Sequence, residues 1–144
     1  MVLTDTWFSA VAETEKQSPV FIAGRDKIEG FIKSGKFKER MEIYWKYKAQ
    51  HNGMPSNEDS ILIDEVTTLL RTSMEKDKLA ILTGIYTGDG ERTLVFYCRT
   101  ARVVGERLNE CLASYPMLPL ELYVEADADW NEYYEMLETK PYGE

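Results

Sequence analysis

The most regular pattern in the chain lies at residues 39–48, where Met41, Ile43, Trp45 and Tyr47 alternate with Glu42, Tyr44, Lys46 and Lys48. A period of two predicts a strand with one buried face. Asn52-Gly53 and Pro55 then break regular structure, and Ser56 or Asn57 is placed to accept a hydrogen bond from a free amide of the following helical turn. Glu58 and Asp59 suit the positive end of that helix. Leu62, Val66, Leu69 and Leu70 recur at three- and four-residue spacing, predicting a helix that ends near residues 76–78, with Ile61, Ile63 and Met74 widening its apolar stripe. Two β-rich runs follow on either side of Gly88-Asp89-Gly90, the signature of a tight hairpin. Val104, Leu108, Cys111, Leu112 and Tyr115 then resume helical spacing, with Thr100 as cap, Gly105 a weak point and Pro116 as stop. Leu118, Leu120, Leu122 and Val124 alternate with Glu121, Tyr123 and Glu125, a second half-buried strand. Trp130, Tyr133, Tyr134 and Leu137 share one face of a closing helix.

From residue 39 to 125 the order is therefore βαββαβ. Upstream, residues 6–14 and 18–25 pattern as a strand pair, and residues 26–37 as a short helix or loop interrupted by glycine. The expected fold is α+β, a ferredoxin-like βαββαβ sandwich with an N-terminal strand pair and an appended C-terminal helix. A chain of 144 residues fits one domain. Within 1–144, residues 1–38 form an extension packing on or extending the sheet, 39–125 the core, and 126–144 the final helix and tail. The N-terminus has neither a basic stretch nor a long apolar run, so it reads as neither signal peptide nor membrane anchor, and a soluble, cytoplasmic protein is expected.

Charge narrows the function classes. A net charge of −8 opposes general binding of nucleic acid, which depends on Lys and Arg releasing counterions from phosphates. The average hides an asymmetry. Arg25, Lys27, Lys33, Lys36, Lys38, Arg40, Lys46 and Lys48 crowd one segment, whereas Glu121, Glu125, Asp127, Asp129, Glu132, Glu135 and Glu138 dominate the end of the chain. The two segments can attract each other within or between molecules, or the acidic one can take a basic partner.

Candidate chemistry is sparse. The stretch Thr87-Gly88-Asp89-Gly90 has Thr93 where a dinucleotide loop needs its third glycine, and a strand follows rather than a helix, so it reads as a turn. The sole histidine, His51, sits in a loop without metal-ligand spacing to Cys or paired acids. Cys98 and Cys111 form no CxxC and read as reduced packing residues. No G-x-S-x-G elbow is present. Asp127, Asp129 and Glu132 lack the EF-hand pattern and suit a helix N-terminus instead. No catalytic residue, cofactor or metal site is assigned.

The distinctive constellation is aromatic. If Ile43, Trp45, Leu120 and Leu122 pack beneath the two helices, Tyr44 and Tyr123 point to the opposite sheet face, joined by Tyr86 or Tyr97. With Trp130 these make up the candidate interaction surface. RNA-recognition domains share the βαββαβ order and stack bases on sheet aromatics. Here the basic and glycine signature of that class is missing and the net charge opposes it. A competing arrangement has the N-terminal segment, with Trp7, Phe8, Val20, Phe21 and Ile22, covering this face or extending the sheet.

The stretches Ile43–Asp59, Leu82–Arg99 and Leu122–Leu137 resemble the bacterial domain-of-unknown-function family 695. That family shows an aromatic strand leading to a G-M-P-S/T helix start, a T-G-D-G hairpin before an F-Y strand, and a closing acidic W-x-x-Y segment. The resemblance runs from about Trp7 to Glu138 and departs most at residues 24–38. It implies a small α+β domain. More distantly the chain is similar to regulator of ribonuclease E activity B, an acidic protein that binds an enzyme rather than catalysing. The function expected is a non-enzymatic protein-binding or regulatory domain, with self or another protein as partner, no membrane and an unidentified small-molecule ligand left open. The alternatives are a small-ligand binder or enzyme using carboxylates and tyrosines, and a single-stranded RNA-binding module.

Overall fold

The computed structural model describes residues 2–15 and 17–141. Its elements in chain order are β1 (Thr6–Glu13), β2 (Pro19–Asp26), α1 (Glu29–Lys33), β3 (Glu39–Lys46), α2 (Asn57–Glu75), β4 (Ala80–Gly88), β5 (Glu91–Cys98), α3 (Ala101–Cys111), β6 (Leu120–Ala126) and α4 (Asn131–Leu137). The six strands form one sheet in the order β1-β2-β4-β5-β3-β6, antiparallel at every pairing. The fold is α+β, and within it β3 to β6 follow the expected βαββαβ succession, with β1 and β2 as an added hairpin.

Local sequence chemistry accounts for most boundaries. The Ser56 hydroxyl accepts from Asp59 N–H at 3.1 Å and starts α2. Asp89 and Gly90 both take positive φ, 51° and 82°, which is the geometry of a two-residue hairpin turn whose twist suits the flanking strands. Thr100 does occupy the cap position of α3, yet its side chain makes no capping bond; Glu39 Oε1 accepts the Ala101 N–H instead. That helix stops at Cys111, short of Pro116.

α2 and α3 cover one face of the sheet. Beneath them Met41, Ile43 and Trp45 of β3, Leu94 and Phe96 of β5, and Leu82 of β4 meet Ile63, Val66, Leu70, Met74, Val104 and Leu108. The buried stripe of α2 is Ile63, Val66, Thr67, Leu70 and Met74. Ile61, expected to widen it, lies nearly on the opposite side of the helix and is exposed. On the opposite face, α1 and α4 enclose a second core of Phe8, Ile22, Phe31, Phe37, Ile81, Val95, Tyr97, Trp130, Tyr133 and Met136.

The N-terminal hairpin extends the sheet rather than covering its outer face. β2 pairs with β4 from Val20↔Gly88 to Gly24↔Gly84, and β1 pairs with β2 along its whole length. The cover of the outer face is α4. Close approach is possible because Gly24 and Gly84 stand opposite each other: a Cβ at Gly24 would lie 2.3 Å from the Phe8 ring, and one at Gly84 3.2 Å from Met136 Sδ.

One buried ion pair joins the hairpin to the helical layer. The Arg25 guanidinium, 1% exposed, donates to Glu75 Oε2 at 2.9 Å, to the Leu82 carbonyl at 3.0 Å and twice to the Thr4 carbonyl. No helix among the described residues is long and apolar enough to cross a membrane. Glu75→Ala would leave that guanidinium buried without its counter-charge and strip the Leu82 N–H of its acceptor. A loss of about 3–5 kcal/mol is expected for breaking one side of such a pair, read from the urea unfolding midpoint at constant slope.

Candidate functional site

Alternation along β3 puts Arg40, Glu42, Tyr44 and Lys46 on the face away from α2 and α3. Register then sets their neighbours. Across β5, Arg40 stands beside Tyr97 and Tyr44 beside Thr93; across β6, Arg40 faces Glu125, Glu42 faces Tyr123 and Tyr44 faces Glu121. Tyr86 of β4 adjoins Thr93. The four tyrosines picked out by sequence therefore do share one sheet face.

Each of the four hydroxyls donates to a different carboxylate: Tyr44 to Glu42, Tyr86 to Glu132 at 2.9 Å, Tyr97 to Asp127 at 2.6 Å and Tyr123 to Glu125 at 3.0 Å. Arg40 gathers three of those acids, through Nε to Glu42 at 2.7 Å, Nη2 to Glu125 at 2.6 Å and Nη1 to Asp127 at 2.6 Å. Burial works against its charge, but the bonds to Asp127 and Glu42 outweigh this and hold its pKa above the ordinary arginine value. The basic and acidic segments of the chain thus meet inside the molecule, where β3 runs beside β6; Lys46 and Glu121 make a looser contact at 3.8 Å.

Asp127 carries the architecture. Its Oδ1 accepts Asn131 N–H at 2.9 Å and its Oδ2 accepts Glu132 N–H at 3.2 Å, so it caps α4 while bonding Arg40 and Tyr97. Burial raises its pKa, and the Tyr97 hydroxyl, the Asn131 amide and Arg40 together pull it below the usual carboxylate value. Reading the C-terminal acids as helix-start residues was right for Asp127. The signal for its wider role, an acid just past a strand and four residues before a helix, is not distinguishable in sequence from an ordinary cap.

Two of the candidate surface residues are interior. Tyr97 is fully buried and Trp130 is 1% exposed; their rings stack at 4.0 Å with 12° between planes, and the indole N–H donates to the Phe37 carbonyl at 2.9 Å. α4 lies over them, which sequence periodicity could not place. Tyr44 and Tyr86 are half-buried, and Tyr123 is 45% exposed. Leu122, expected beneath the helices, is 49% exposed, because β6 is the last strand and α3 does not reach it.

The open part of the face is acidic. Glu42, Glu91, Glu121 and Glu125 of the strands and Glu132 of α4 stand there, and the cations that β3, β5 and β6 add to this face are Arg40 and Lys46. A polar hollow of about 290 Å³ beside Arg40 is walled by Glu125, Asp127, Glu132 and Glu135. Burial pushes the pKa of Tyr44 and Tyr86 up, and the carboxylate accepting each hydroxyl adds to it, so these phenols stay protonated donors at neutral pH. Acceptor oxygens and aromatic ring faces suit cationic side chains. Among the described residues no group of His, Cys, Asp and Glu is arranged to hold a metal ion. Cys98 is buried, with its thiol pushed up to about 12 by desolvation.

Fold and site together define a small α+β domain carrying an acidic, tyrosine-lined surface at one sheet edge. A family model described as "Family of unknown function (DUF695)" matches residues 5–138, and the chain belongs to that family. No curated protein and no solved structure matches it, so the more distant likeness to regulator of ribonuclease E activity B finds no counterpart among them.

The pKa of Glu132 is raised, chiefly by burial and further by Glu42, against the Tyr86 bond that lowers it. The folded state therefore holds this proton more tightly than the unfolded chain does. Its stability contribution is present below the ordinary glutamate value of 4.5 and declines as pH climbs through the higher folded value. Glu132→Gln keeps an acceptor for Tyr86 and removes the charge. Its melting temperature should exceed the parent's at pH 7 and match it near pH 4; the opposite order would show that the ionised acid is stabilising.

Proposed function

We propose that the protein is a non-enzymatic binding domain that accepts an extended, basic segment of another protein as a seventh strand alongside β6. The observation that carries this reading is the state of β6. Leu122, Tyr123 and Val124 are each 45–49% exposed although they lie in the middle of a regular strand. Their side chains point alternately to both sheet faces, so neither face is covered.

The backbone of β6 has a free side as well. Asp127 N–H bonds the Lys38 carbonyl and Lys46 N–H bonds the Pro119 carbonyl, which turns the odd-numbered residues toward β3. The N–H and C=O groups of Leu122 and Val124 consequently face outward, where β6 has no neighbouring strand among the described residues. Such an edge is a template for strand addition. An incoming strand would lay alternate side chains against Leu120, Leu122 and Val124 on one face and against Glu121, Tyr123 and Glu125 on the other. Apolar residues match the first row and Lys or Arg the second. β1, the other edge, offers less: its central Phe8 and Ala10 are buried, and small side chains at Ser9 and Ala12 leave little to grip.

The test is a fluorescent peptide of alternating lysine and valine, titrated by anisotropy against the full chain, with a glutamate–valine peptide as control. The lysine peptide should bind and the glutamate peptide should not. Val124→Pro deletes an outward N–H while sparing the bonds to β3, and should weaken binding at least about tenfold, roughly 1.4 kcal/mol, with the parent's circular dichroism. Equal binding of both peptides, or no effect of Val124→Pro, would overturn the reading. So would a stable dimer of the chain alone that buries β6.

A further inference from the structure

A second concavity lies far from β6, on the other face and at the other end of the sheet. α2 and α3 cover β3, β5 and β4, but β1 and β2 project past α2 as a shelf. Between the shelf and the helix runs a cleft of about 620 Å³. Its floor follows from register. Val11, Phe21 and Thr87 stand side by side across β1, β2 and β4, leading to Arg92 on β5, and Ser9, Ala23 and Ile85 form the next row. Serine and alanine in that second row leave the space open. Asp64, Thr67 and Thr68 of α2 make the wall. Trp7 in the following row lies 5.3 Å from the Arg71 guanidinium of α2, which joins β1 to the helix at that end.

Arg92 stands at the inner corner of this apolar cleft and is held rigidly. Its Nε donates to Thr87 Oγ1 at 3.0 Å, and its Nη1 to Asp64 Oδ1 at 2.7 Å and Thr67 Oγ1 at 3.4 Å. The side chain is 14% exposed. A guanidinium has five donors in a fixed fork, and three are taken; Nη2, with two hydrogens, has no partner among the described residues. It is not sealed in, since among the described residues no side-chain nitrogen is both buried and unsatisfied. Asp64 is 66% exposed and solvated, so it does not require a second cation.

We propose that this cleft is a binding site for a small amphipathic carboxylate, its acid group taken by Arg92 Nη2 and its apolar tail lying on Val11, Phe21, Ala23 and Ile85. The volume falls in the range of small-molecule sites, and one oriented charged group in an apolar cavity is the usual recognition pattern. A bound carboxylate would share the guanidinium with Asp64, as Arg40 is shared among three acids elsewhere in the same sheet. This site is independent of the strand-docking reading at β6.

The experiment compares three probes with one tail, octanoate, octanol and octylamine, by isothermal titration against the full chain. Octanoate should bind saturably with one site, at least about tenfold tighter than octanol, as a charge-assisted bond requires. Octylamine should bind more weakly than octanol. Ala23→Leu fills the floor without touching the polar groups and should abolish binding, and Ser9→Leu should do the same if the first variant folds poorly. Arg92→Lys should lower octanoate affinity toward that of octanol. Octanoate no tighter than octanol, saturable octylamine binding of equal strength, or octanoate affinity unchanged in a folded Ala23→Leu or Ser9→Leu would overturn the proposal.

Discussion

The arrangement of the whole molecule depends on how the Arg25–Glu75 pair resolves an irregularity in β4. The register between β4 and β5 shifts between Leu82 and Gly84, with Thr83 as the extra residue. β2 pairs with β4 only as far as Gly84, which leaves the Leu82 N–H and C=O without ladder partners on that side. Glu75 Oε2 accepts the N–H at 2.9 Å and Arg25 Nη1 donates to the C=O at 3.0 Å. Two side chains thus continue the ladder where backbone cannot. Taking both charges out of water is costly, and it is tolerated because every donor of the fork is used and Trp7 lies 4.8 Å beneath it. The pair pins the C-terminal end of α2 to β2, so the hairpin must run on as sheet. The shelf and its cleft follow from that, and so does the availability of the outer face to α4.

α4 has seven residues and could not persist alone, since short helices do not repay their nucleation cost. Asp127 supplies acceptors for its first free amides, and the aromatic cluster supplies its packing. Trp130 enters the helix with φ 58°, a strained conformation for a bulky residue. The strain is outweighed by the stack on Tyr97, the bond to Phe37 and the edge contact with Tyr133 at 5.6 Å. Because α4 is short it closes only the half of the outer face nearest Tyr97. The other half, from Tyr86 to Tyr123, is left as a polar surface.

Local signals in the chain carried the elements well. Alternation at residues 39–46 marked β3, Asp89-Gly90 marked the turn, and Ser56 marked the start of α2. What could not be read was which surfaces meet. Tyr97 belongs to the run Leu94-Val95-Phe96-Tyr97-Cys98, and an unbroken apolar run is the mark of a strand buried on both faces; that signal argued against an exposed Tyr97 and was available. Trp130 had no comparable mark, since its burial depends on α4 folding back over β5. Leu122 and Val124 show the same alternation as Met41 and Ile43. Their different burial reflects sheet order alone, one strand lying centrally and the other at the edge. The hub role of Arg40 was likewise hidden, because two of its three acid partners are 85 and 87 residues away. The charge asymmetry did indicate that the two segments attract.

The acids along β6 bear on partner choice in two directions. In a symmetric antiparallel pairing of two copies about Tyr123, Glu121 of each strand would face Glu125 of the other, a like-charge contact at both ends of a short ladder. Arg40 bonds Glu125 at 2.6 Å but divides its single charge with Glu42 and Asp127, and Lys46 lies 3.8 Å from Glu121, so these cations reduce the repulsion without removing it. An exposed edge with apolar residues at its centre is ordinarily an invitation to self-association. Here the flanking carboxylates oppose that pairing, while the same oxygens offer acceptors to lysine or arginine from a different chain. In the proposed docking, one row of side chains would therefore discriminate against the chain's own copy and in favour of a basic strand, without any change in the backbone that both would use.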